Sequence, residues 1–537
     1  MLRTAFRPAQ RPALLASFLC ASSALALSAR AEELPQLWRT HAAPPAATLE
    51  WIAEQQHAHP AFGAAHAIEL DLAVLESLIA APERPLGVAV ELGAERLELV
   101  LERSELQPLY RVFRGHRVGS EDRCAFVVSS DGIASGWLEH GERRFALAQH
   151  GASATHLVRE VREAQLRPCG CGAEHEVVDE LHVASNEPES IPAVTIDVIA
   201  FFTPAARRTQ GSASALASVI AGDIERANEA NLRANVDLRF RLVHARETSY
   251  VEDGTSNDLA RFRSTNDGVM DEVHGLRNQY GADLCTLITD FSSQFCGVAY
   301  LMTSPGSGFR SSAFSVNVRS CLGGTVVAHE MGHNLGCAHD RQNANRGAYS
   351  YSFGYRTPDS AWRTVMSYTP GASVTTWSNP TVVHQGQAMG TATEDNARSI
   401  RNTMRITAAF TAQQILDAWV LDGGVPTGFG LVPILQAAGF ANGLEAPTLR
   451  FAAAPNGAPG ALVIGLVEAR QPFFGGTLIP ALQLPIPITG SFFATTGDIS
   501  SLLTLPSGTE LWLQALFLDP LAAQGVAMSH GLYVRRP

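Results

Sequence analysis

The feature that most constrains this chain is the stretch Thr325–Asp340, which reads TVVAHEMGHNLGCAHD. It contains the pattern H-E-x-x-H-x-x-G-x-x-H, and the apolar residues around it recur at helical spacing. We predict a helix on which His329 and His333 share one face and bind one metal ion from adjacent turns. Glu330 projects one position round the helix, where it is better aimed at a metal-bound water than at the metal.

A third ligand follows from the glycine in this pattern. Without a Cβ atom, Gly336 can take the left-handed conformation that ends a helix, so the chain turns back and presents His339 to the same ion. Three neutral imidazoles leave one coordination position open, which is typical of one catalytic zinc ion rather than of a structural zinc. The alternative is a chance match in which the histidines are ordinary surface or core residues. Calcium binding stays open, because it cannot be read from the sequence.

A second signal lies downstream, where residues 364–368 read TVMSY. Because Met366 can form a turn beneath the histidines, the chain resembles the metzincin zinc metallopeptidases, whose motif is followed by a methionine-containing turn. Asp340 resembles the residue after the third histidine in the reprolysin or adamalysin branch and in the related bacterial peptidyl-Asp metalloendopeptidases. Tyr368, two residues after the methionine, resembles the tyrosine of astacins and serralysins that lies on or near the zinc.

The resemblance covers about residues 194–412 and also includes Trp377–Pro380 and Asp395–Thr403, which are similar to a pocket-forming segment and a C-terminal helix of reprolysin-like bacterial peptidases. It implies an α/β metzincin-like catalytic domain with a mostly parallel twisted sheet, acting on internal peptide bonds of proteins or peptides. Glu330 would take a proton from water and then protonate the leaving amine. Tyr368 is either a hydrogen-bond donor to the oxyanion or a tyrosine packed in its turn.

Length and charge set further bounds. A chain of 537 residues is too long for one core and predicts about three domains with processing segments. The formal net charge of -12 argues against a nucleic-acid partner. After the N-terminus we find no apolar run long enough to predict a membrane span in the mature protein.

Residues 1–31 read as a secretory signal peptide. Arg3, Arg7 and Arg11 precede the apolar run Ala13–Leu27, and Ala29–Ala31 gives an A-x-A cleavage site. Cys20 raises a lipoprotein alternative, but the bulky residues before it do not fit a lipobox, so we expect Cys20 to leave with the signal. The predicted secretion implies an oxidising environment.

Residues 32–190 are predicted to form a β-rich pro-domain. Strands are expected at Leu97–Leu101, Tyr110–Phe113 and Cys124–Val128. The segment Arg114–His150 resembles the pro-domain that precedes adamalysin-type catalytic domains, on the spacing of Gly119, Val127, Gly132, Gly136 and Phe145.

Two cysteines close the pro-domain in the sequence RPCGCG. A thiolate from Cys169 or Cys171 could occupy the open zinc position and keep a zymogen silent, as single cysteines do in metzincin pro-peptides. Alternatively, the two thiols pair with each other or with Cys124.

Residues 191–412 are the predicted catalytic domain. Strands are expected at Ile196–Phe202, Leu238–Val243 and Leu284–Ile288, and helices at Ser212–Asn235 and Asn257–Tyr280. This alternation indicates a largely parallel sheet. Gly297–Met302 is expected to be an edge strand onto which an extended peptide adds, or else a buried strand.

Four cysteines fall in the catalytic domain and allow two disulfides. We favour Cys296 with Cys321, which would tie the edge strand to the segment before the active helix. Cys285 and Cys337 then pair by elimination, with a free buried Cys285 as the alternative.

Residues 413–537 are rich in Gly, Pro, Leu and Ala and are predicted to form a small β-sandwich accessory domain, with apolar stretches at Ala461–Val467, Leu478–Ile488 and Leu511–Leu518. This domain either binds a cell surface or carbohydrate or serves secretion and stability. The whole chain is therefore either a secreted zinc endopeptidase made as a zymogen or a secreted binding protein on a peptidase-like scaffold. The intact Glu330 favours the enzyme, because a scaffold has no need of a general base.

Overall fold

The computed structural model describes residues 34–80, 85–129, 131–150, 155–171 and 194–415 except 291 and 293, and, with short gaps, residues 417–536. The predicted signal peptide, with Cys20, lies outside the described residues. None of the helices in these ranges has both the length and the apolar character that crossing a bilayer requires.

The first part of the chain is a closed barrel of nine strands. They are β1 (Gln36–Thr40), β2 (Phe62–Leu70), β3 (Leu86–Leu92), β4 (Glu95–Leu106), β5 (Tyr110–Arg117), β6 (Arg123–Ser129), β7 (Ala134–His140), β8 (Arg143–His150) and β9 (Thr155–Val161). Neighbours are antiparallel, except that β1 and β3 close the barrel as a parallel pair. Helices α1 (Ala46–Ala58) and α2 (Ala73–Ala80) lie between the early strands. The three predicted strands fall within β4, β5 and β6.

A six-stranded sheet follows the barrel. Its strands are β10 (Gly170–Cys171), β11 (Val194–Phe202), β12 (Leu238–Glu247), β13 (Leu284–Thr289), β14 (Gly297–Ala299) and β15 (Phe314–Val318), in the order β10-β14-β15-β13-β11-β12. The pairs among β11, β12, β13 and β15 are parallel, and β14 is antiparallel to β15. The sheet is therefore mostly parallel, as predicted for an α/β domain.

Six helices accompany this sheet in the described residues: α3 (Pro204–Gln210), α4 (Ala213–Arg233), α5 (Thr255–Arg263), α6 (Glu272–Tyr280), α7 (Val326–Asn334) and α8 (Asn396–Thr407). The single helix predicted over Asn257–Tyr280 is wrong, because the chain is divided there into α5 and α6. Between them, Gly268 and Met270 have φ values of 78° and 57°, which an α-helix excludes. Residues 264–267, which are Ser, Thr, Asn and Asp, favour a turn, but the apolar spacing on either side suggested one continuous helix.

The barrel and the sheet domain share apolar contacts through the wall of the barrel. Phe126 of β6 is buried in the barrel core, whereas its neighbour Val127 belongs to the same buried cluster as Ile220 of α4. Trp137 of β7 joins this second cluster. Tyr110 adds a polar contact by donating a hydrogen bond of 2.8 Å to Glu225 on α4. A strand buried on both faces needs apolar residues at successive positions, which explains the continuous run in β6.

Short strands carry the chain between α7 and α8. They are β16 (Ala338–Asp340), β17 (Phe353–Gly354), β18 (Trp362–Arg363), β19 (Ala372–Ser373), β20 (Asn379–His384) and β21 (Gln387–Met389). Each pairs with one other, β16 with β17, β18 with β19 and β20 with β21.

In the described residues of the C-terminal part, the β-strands form three sheets. The strands are β22 (Asp417–Val420), β23 (Ile434–Ala438), β24 (Thr448–Ala452), β25 (Pro459–Gly465), β26 (Glu468–Phe473), β27 (Gly476–Pro480), β28 (Leu484–Thr489), β29 (Thr495–Asp498), β30 (Glu510–Leu518), β31 (Val526–Met528) and β32 (Leu532–Arg535). The largest sheet has the order β22-β32-β30-β25-β28 with β31 beside β30, and β23-β24-β29 and β26-β27 form the others. Leu435 and Leu449 of the three-stranded sheet share a buried cluster with Leu462 and Leu513 of the largest sheet.

Cys296 and Cys321 form a disulfide, with Cα atoms 5.6 Å apart. This bond joins the start of β14 to the segment before α7. The predicted pairing of Cys285 with Cys337 is wrong, because both are free and buried in the apolar core. Counting cysteines assumed that every thiol pairs, whereas a buried thiol also packs as a small apolar side chain. Cys124 is likewise free and buried, so it forms no bond with Cys169 or Cys171.

The disulfide should contribute measurably to stability. Replacing Cys296 and Cys321 together by Ala releases a crosslink over a sequence separation of 25 residues, and should lower the free energy of unfolding by about 3 kcal/mol. Urea denaturation with and without a reductant measures this. Reductant should destabilise the wild type and a Cys285→Ala control, but not the double variant. Equal reductant sensitivity of the double variant and the wild type would contradict the assignment.

Candidate active site

The first two histidines lie on α7, four residues apart and on one face. The helix ends just after Asn334, and Gly336 has a φ of 84°, so the chain reverses there. A Cβ atom at Gly336 would also lie 2.4 Å from the Cβ of Ala348, so the position requires glycine for its conformation and for space. The reversal leads into β16, which carries His339.

The three imidazoles converge on one point. The Nε2 atom of His339 lies 3.0 Å from Nε2 of His333 and 3.0 Å from Nε2 of His329. All three side chains are buried. For a tetrahedral zinc ion with Zn–N bonds of about 2.0–2.1 Å, adjacent ligand nitrogens are roughly 3.3 Å apart. The cluster therefore has the size of a zinc site.

Hydrogen bonds on the far side of two rings fix which nitrogen carries the proton. Nδ1 of His329 lies 2.9 Å from the carbonyl oxygen of Val365, and Nδ1 of His333 lies 2.8 Å from that of Cys337. A carbonyl oxygen only accepts, so each Nδ1 donates and each Nε2 keeps its lone pair. Burial lowers the pKa of His329 to about 3 and that of His333 to about 4, so both rings are neutral at pH 7. The lone pairs of His329 and His333 therefore face the same point as Nε2 of His339, as the ligands of one cation would.

Glu330 lies beside the cluster and is completely buried. Its carboxylate packs against β14 so closely that a Cβ atom on Gly297 would lie 2.6 Å from Oε1. Burial raises the pKa of the Glu330 carboxyl well above its usual range, and the neighbouring Cys169 thiol acts in the opposite direction. The carboxylate is therefore near the histidines but held in a dry environment.

The methionine turn supports the cluster from below. Met366 is fully buried. Its sulfur packs so closely on Gly332 that a Cβ atom added there would lie only 2.7 Å from it. The hydroxyl of Tyr368 lies 2.9 Å from Nε2 of His339. Asp340 connects the two segments, because its carboxylate accepts a hydrogen bond of 3.0 Å from the backbone N–H of Tyr368.

The segment after the barrel covers the site. β10 pairs in parallel with β14, with Gly170 opposite Val298 and Cys171 opposite Ala299. The ligand atoms of Cys169, His329 and Glu330 all lie within 4.8 Å of one another. Tyr368 also donates a hydrogen bond to the carbonyl oxygen of Cys169. The thiol of Cys171 lies outside the described part of the chain, so its predicted role stays a prediction.

Sequence reasoning missed several residues of the site. Gly297 and Gly332 give Glu330 and Met366 room to approach, and the carbonyl of Val365 orients His329. Arg363, which lines a cavity next to His329, was also missed. The zinc motif itself marks Gly332 only as a variable position, and the other contacts depend on elements brought together by folding.

Gly332 provides a test of this packing. In a helix interior, Gly→Ala normally stabilises by about 0.5–1 kcal/mol. At Gly332 the new methyl group would meet Met366 at 2.7 Å and the ring of Trp377 at 2.9 Å, so Gly332→Ala should instead destabilise the fold by about 1–3 kcal/mol. Gly275→Ala in α6 is the control, since nothing lies within 4 Å of its Cβ position. Thermal unfolding that moves both variants in the same direction would contradict the packing.

Comparisons with known proteins agree with this geometry. A family model described as Metallo-peptidase family M12, of the reprolysin type, matches residues 193–378. The peptidyl-Asp metalloendopeptidase of Xanthomonas campestris pv. campestris is 31% identical over 298 residues, which cover 53% of this chain and 69% of that protein. A protein of the same name from Stenotrophomonas maltophilia is 30% identical over 311 residues, covering 54% of this chain and 72% of the relative.

M12 metallopeptidases use zinc, and the three-histidine cluster described above is present in this chain. The relatives are named as metalloendopeptidases and the M12 peptidase domain matches. The chain therefore belongs to the reprolysin-like bacterial metallopeptidases and is a metalloendopeptidase.

Proposed function

We propose that this chain is an exported, zinc-dependent endopeptidase made as a zymogen. In this proposal residues 1–31 are a signal peptide, 32–190 a pro-domain, 191–412 the catalytic domain and 413–537 an accessory β-sandwich. The observation that carries the proposal is the convergence of three imidazole Nε2 atoms beside a buried glutamate.

His329, His333 and His339 are the proposed ligands of one zinc ion. Their Nε2 atoms converge on a common centre, and the hydrogen bonds to carbonyl oxygens hold the rings of His329 and His333 in the tautomer that a metal requires. When bound, zinc supplies Lewis-acid activation of a water molecule and of the scissile carbonyl group.

Glu330 is the proposed proton carrier. Its carboxylate takes a proton from the attacking water and delivers it to the departing amine, so one side chain acts as base and then as acid. Its position supports this role, because the buried carboxylate lies against β14 with its ligand atom within 4.8 Å of that of His329. The Tyr368 hydroxyl is the proposed donor to the substrate carbonyl oxygen as negative charge develops there.

Protein substrates are proposed to bind along β14. That strand offers main-chain groups on the side now paired with β10, so an extended peptide could replace β10 there by adding as a strand. The relatives' name states an aspartate preference, which we extend to this chain as a proposal.

The zymogen proposal rests on Cys169. Its sulfur lies within 4.8 Å of ligand atoms of His329 and Glu330, and its carbonyl oxygen accepts a hydrogen bond from the Tyr368 hydroxyl. A thiolate at this position would take the coordination place that water needs. Cutting the chain after β10 would release both contacts.

Variants of Glu330 and His333 separate chemistry from metal binding. Glu330→Gln keeps the ligands but cannot carry the proton, so the activated enzyme should retain one zinc per chain while peptide hydrolysis falls by about 10²–10⁴-fold. His333→Ala should lose the metal. Zinc analysis, together with a fluorogenic peptide assay with and without 1,10-phenanthroline, measures both effects. Full chelator-sensitive activity in Glu330→Gln would rule out its assignment.

Removal of the Cys169 thiol should partly activate the full-length chain before it is cut. Cys169→Ala leaves the β10 pairing in place, so basal hydrolysis should rise by about tenfold for each 1.4 kcal/mol of blocking contact that is lost. Cys124→Ala removes a buried thiol in the barrel core and is the matched control. The assay uses full-length protein verified as uncut by mass spectrometry. Unchanged basal activity in Cys169→Ala would contradict the blocking role.

A further inference from the structure

A cavity lies next to the histidine cluster, at the N-terminal end of α7. Thr325, Val326 and His329 line it from α7, and Val365 lines it from the methionine turn. The Thr325 side chain makes no capping hydrogen bond to the first turn. The end of the helix therefore directs its partial positive charge towards this cavity.

Arg363 adds a full positive charge to the same cavity. The side chain is only 8% exposed. Its Nε donates to the carbonyl of Gly371 at 3.0 Å and its Nη1 donates to the carbonyl of Ser367 at 2.9 Å. Within the described residues, its Nη2 makes no hydrogen bond. Arg363 is thus held rigidly by two carbonyl groups while part of its donor capacity is unused.

An acidic side chain from the pro-domain lies in this cavity. Glu163 lines it, and a Cβ atom on Gly324, just before α7, would lie 3.2 Å from Oε1. Both carboxylate oxygens are buried and have no hydrogen-bond partner among the residues the structure describes. Burial lowers the pKa of Arg363, and the negative charge of Glu163 is the largest effect that raises it again. Burial likewise lowers the pKa of Arg226, and Glu163 opposes this lowering too.

We propose that Arg363 determines specificity by receiving an acidic substrate side chain next to the scissile bond, and that Glu163 occupies this place before activation. The inference rests on the proposed function, because it requires peptide cleavage and departure of the segment that contains Glu163. When that segment leaves, Arg363 loses the nearest carboxylate in the cavity. A substrate Asp or Glu returns a negative charge to the cavity and can accept a charge-assisted hydrogen bond from the unused Nη2 of Arg363, whereas the neutral isostere Asn brings no charge.

The competing role of Arg363 is purely structural, since its two carbonyl bonds hold the loop 363–371. A pair of fluorogenic peptides that differ only in Asp or Asn beside the cleaved bond separates the two roles. The enzyme is obtained by activating the full-length chain as wild type, Arg363→Gln, Arg363→Lys and Arg277→Gln. Arg277 is the matched control, because it is a buried arginine whose donors also bind carbonyl groups, away from this cavity.

We expect the wild type to prefer the Asp peptide. In Arg363→Gln, kcat/KM for the Asp peptide should fall by about 10- to 100-fold, the effect of losing one charge-assisted contact, with little change for the Asn peptide. Arg363→Lys should retain part of the preference, and Arg277→Gln should keep the wild-type ratio. Equal losses on both peptides in Arg363→Gln, or a wild type without preference, would overturn the inference. A wild type that cleaves neither peptide would instead refute the proposed function.

A second measurement needs only the wild-type enzyme and so does not depend on the folding of a variant. The peptide Glu163–Gly170 and its Glu163→Gln form both contain Cys169, so any contribution of the thiol cancels in the comparison. The Glu163 peptide should inhibit hydrolysis about 10-fold more strongly, because only it brings a negative charge into the cavity that Arg363 lines. Equal inhibition by the two peptides would contradict the role of Glu163 as an internal mimic.

Discussion

The hydrogen bonds from two imidazole Nδ1 atoms to the carbonyls of Val365 and Cys337 are the interaction on which the rest of this site depends. They decide that the opposite nitrogens carry lone pairs and point together. Each carbonyl has its own structural requirement. Val365 must be carried beneath α7 by the methionine turn, which needs Gly332, and Cys337 must follow directly on the left-handed Gly336. The glycines in the motif therefore determine how the histidine rings are oriented, because they let these two carbonyl groups reach the rings.

The segment after the barrel covers the site with three chemically different groups. β10 contributes main-chain hydrogen bonds, Cys169 brings a thiol to the histidines and Glu163 brings a carboxylate to the neighbouring cavity. In the proposed zymogen, a single short segment would imitate the backbone, the zinc-directed group and the side chain of a substrate at once. Because the three groups lie on one segment, they leave the site together when that segment departs.

The sequence predicted the histidine cluster better than its surroundings. The spacing of His329, His333 and His339 is a local property of one helix and one turn, so it could be read without knowing the fold. The Cys296–Cys321 bond was also predicted, because both residues flank segments that meet at the site. By contrast, Arg363 and Glu163 are 200 residues apart in the chain. That both line one cavity depends on how the barrel packs on the sheet domain, which no local pattern reveals.

The remaining errors came from rules of composition applied too widely. Pairing Cys285 with Cys337 assumed that an exported domain oxidises every thiol, whereas each of these is enclosed by apolar neighbours in the core. The helix predicted over Asn257–Tyr280 followed its apolar spacing across a run of turn-forming residues. For β6 the same kind of rule succeeded. Its continuous apolar run was correctly predicted as a strand, although its two faces pack in different hydrophobic cores.

Strands β6 and β7 of the barrel also pack against the sheet domain, and this limits how far a cut in the chain separates the two parts. Hydrolysis of one peptide bond after β10 ends covalent attachment, but Val127 and Trp137 remain buried against the α4 side, each worth about 1.5–3 kcal/mol. The severed barrel would then behave as a dissociable ligand of the enzyme it came from, and its occupancy would fall on dilution.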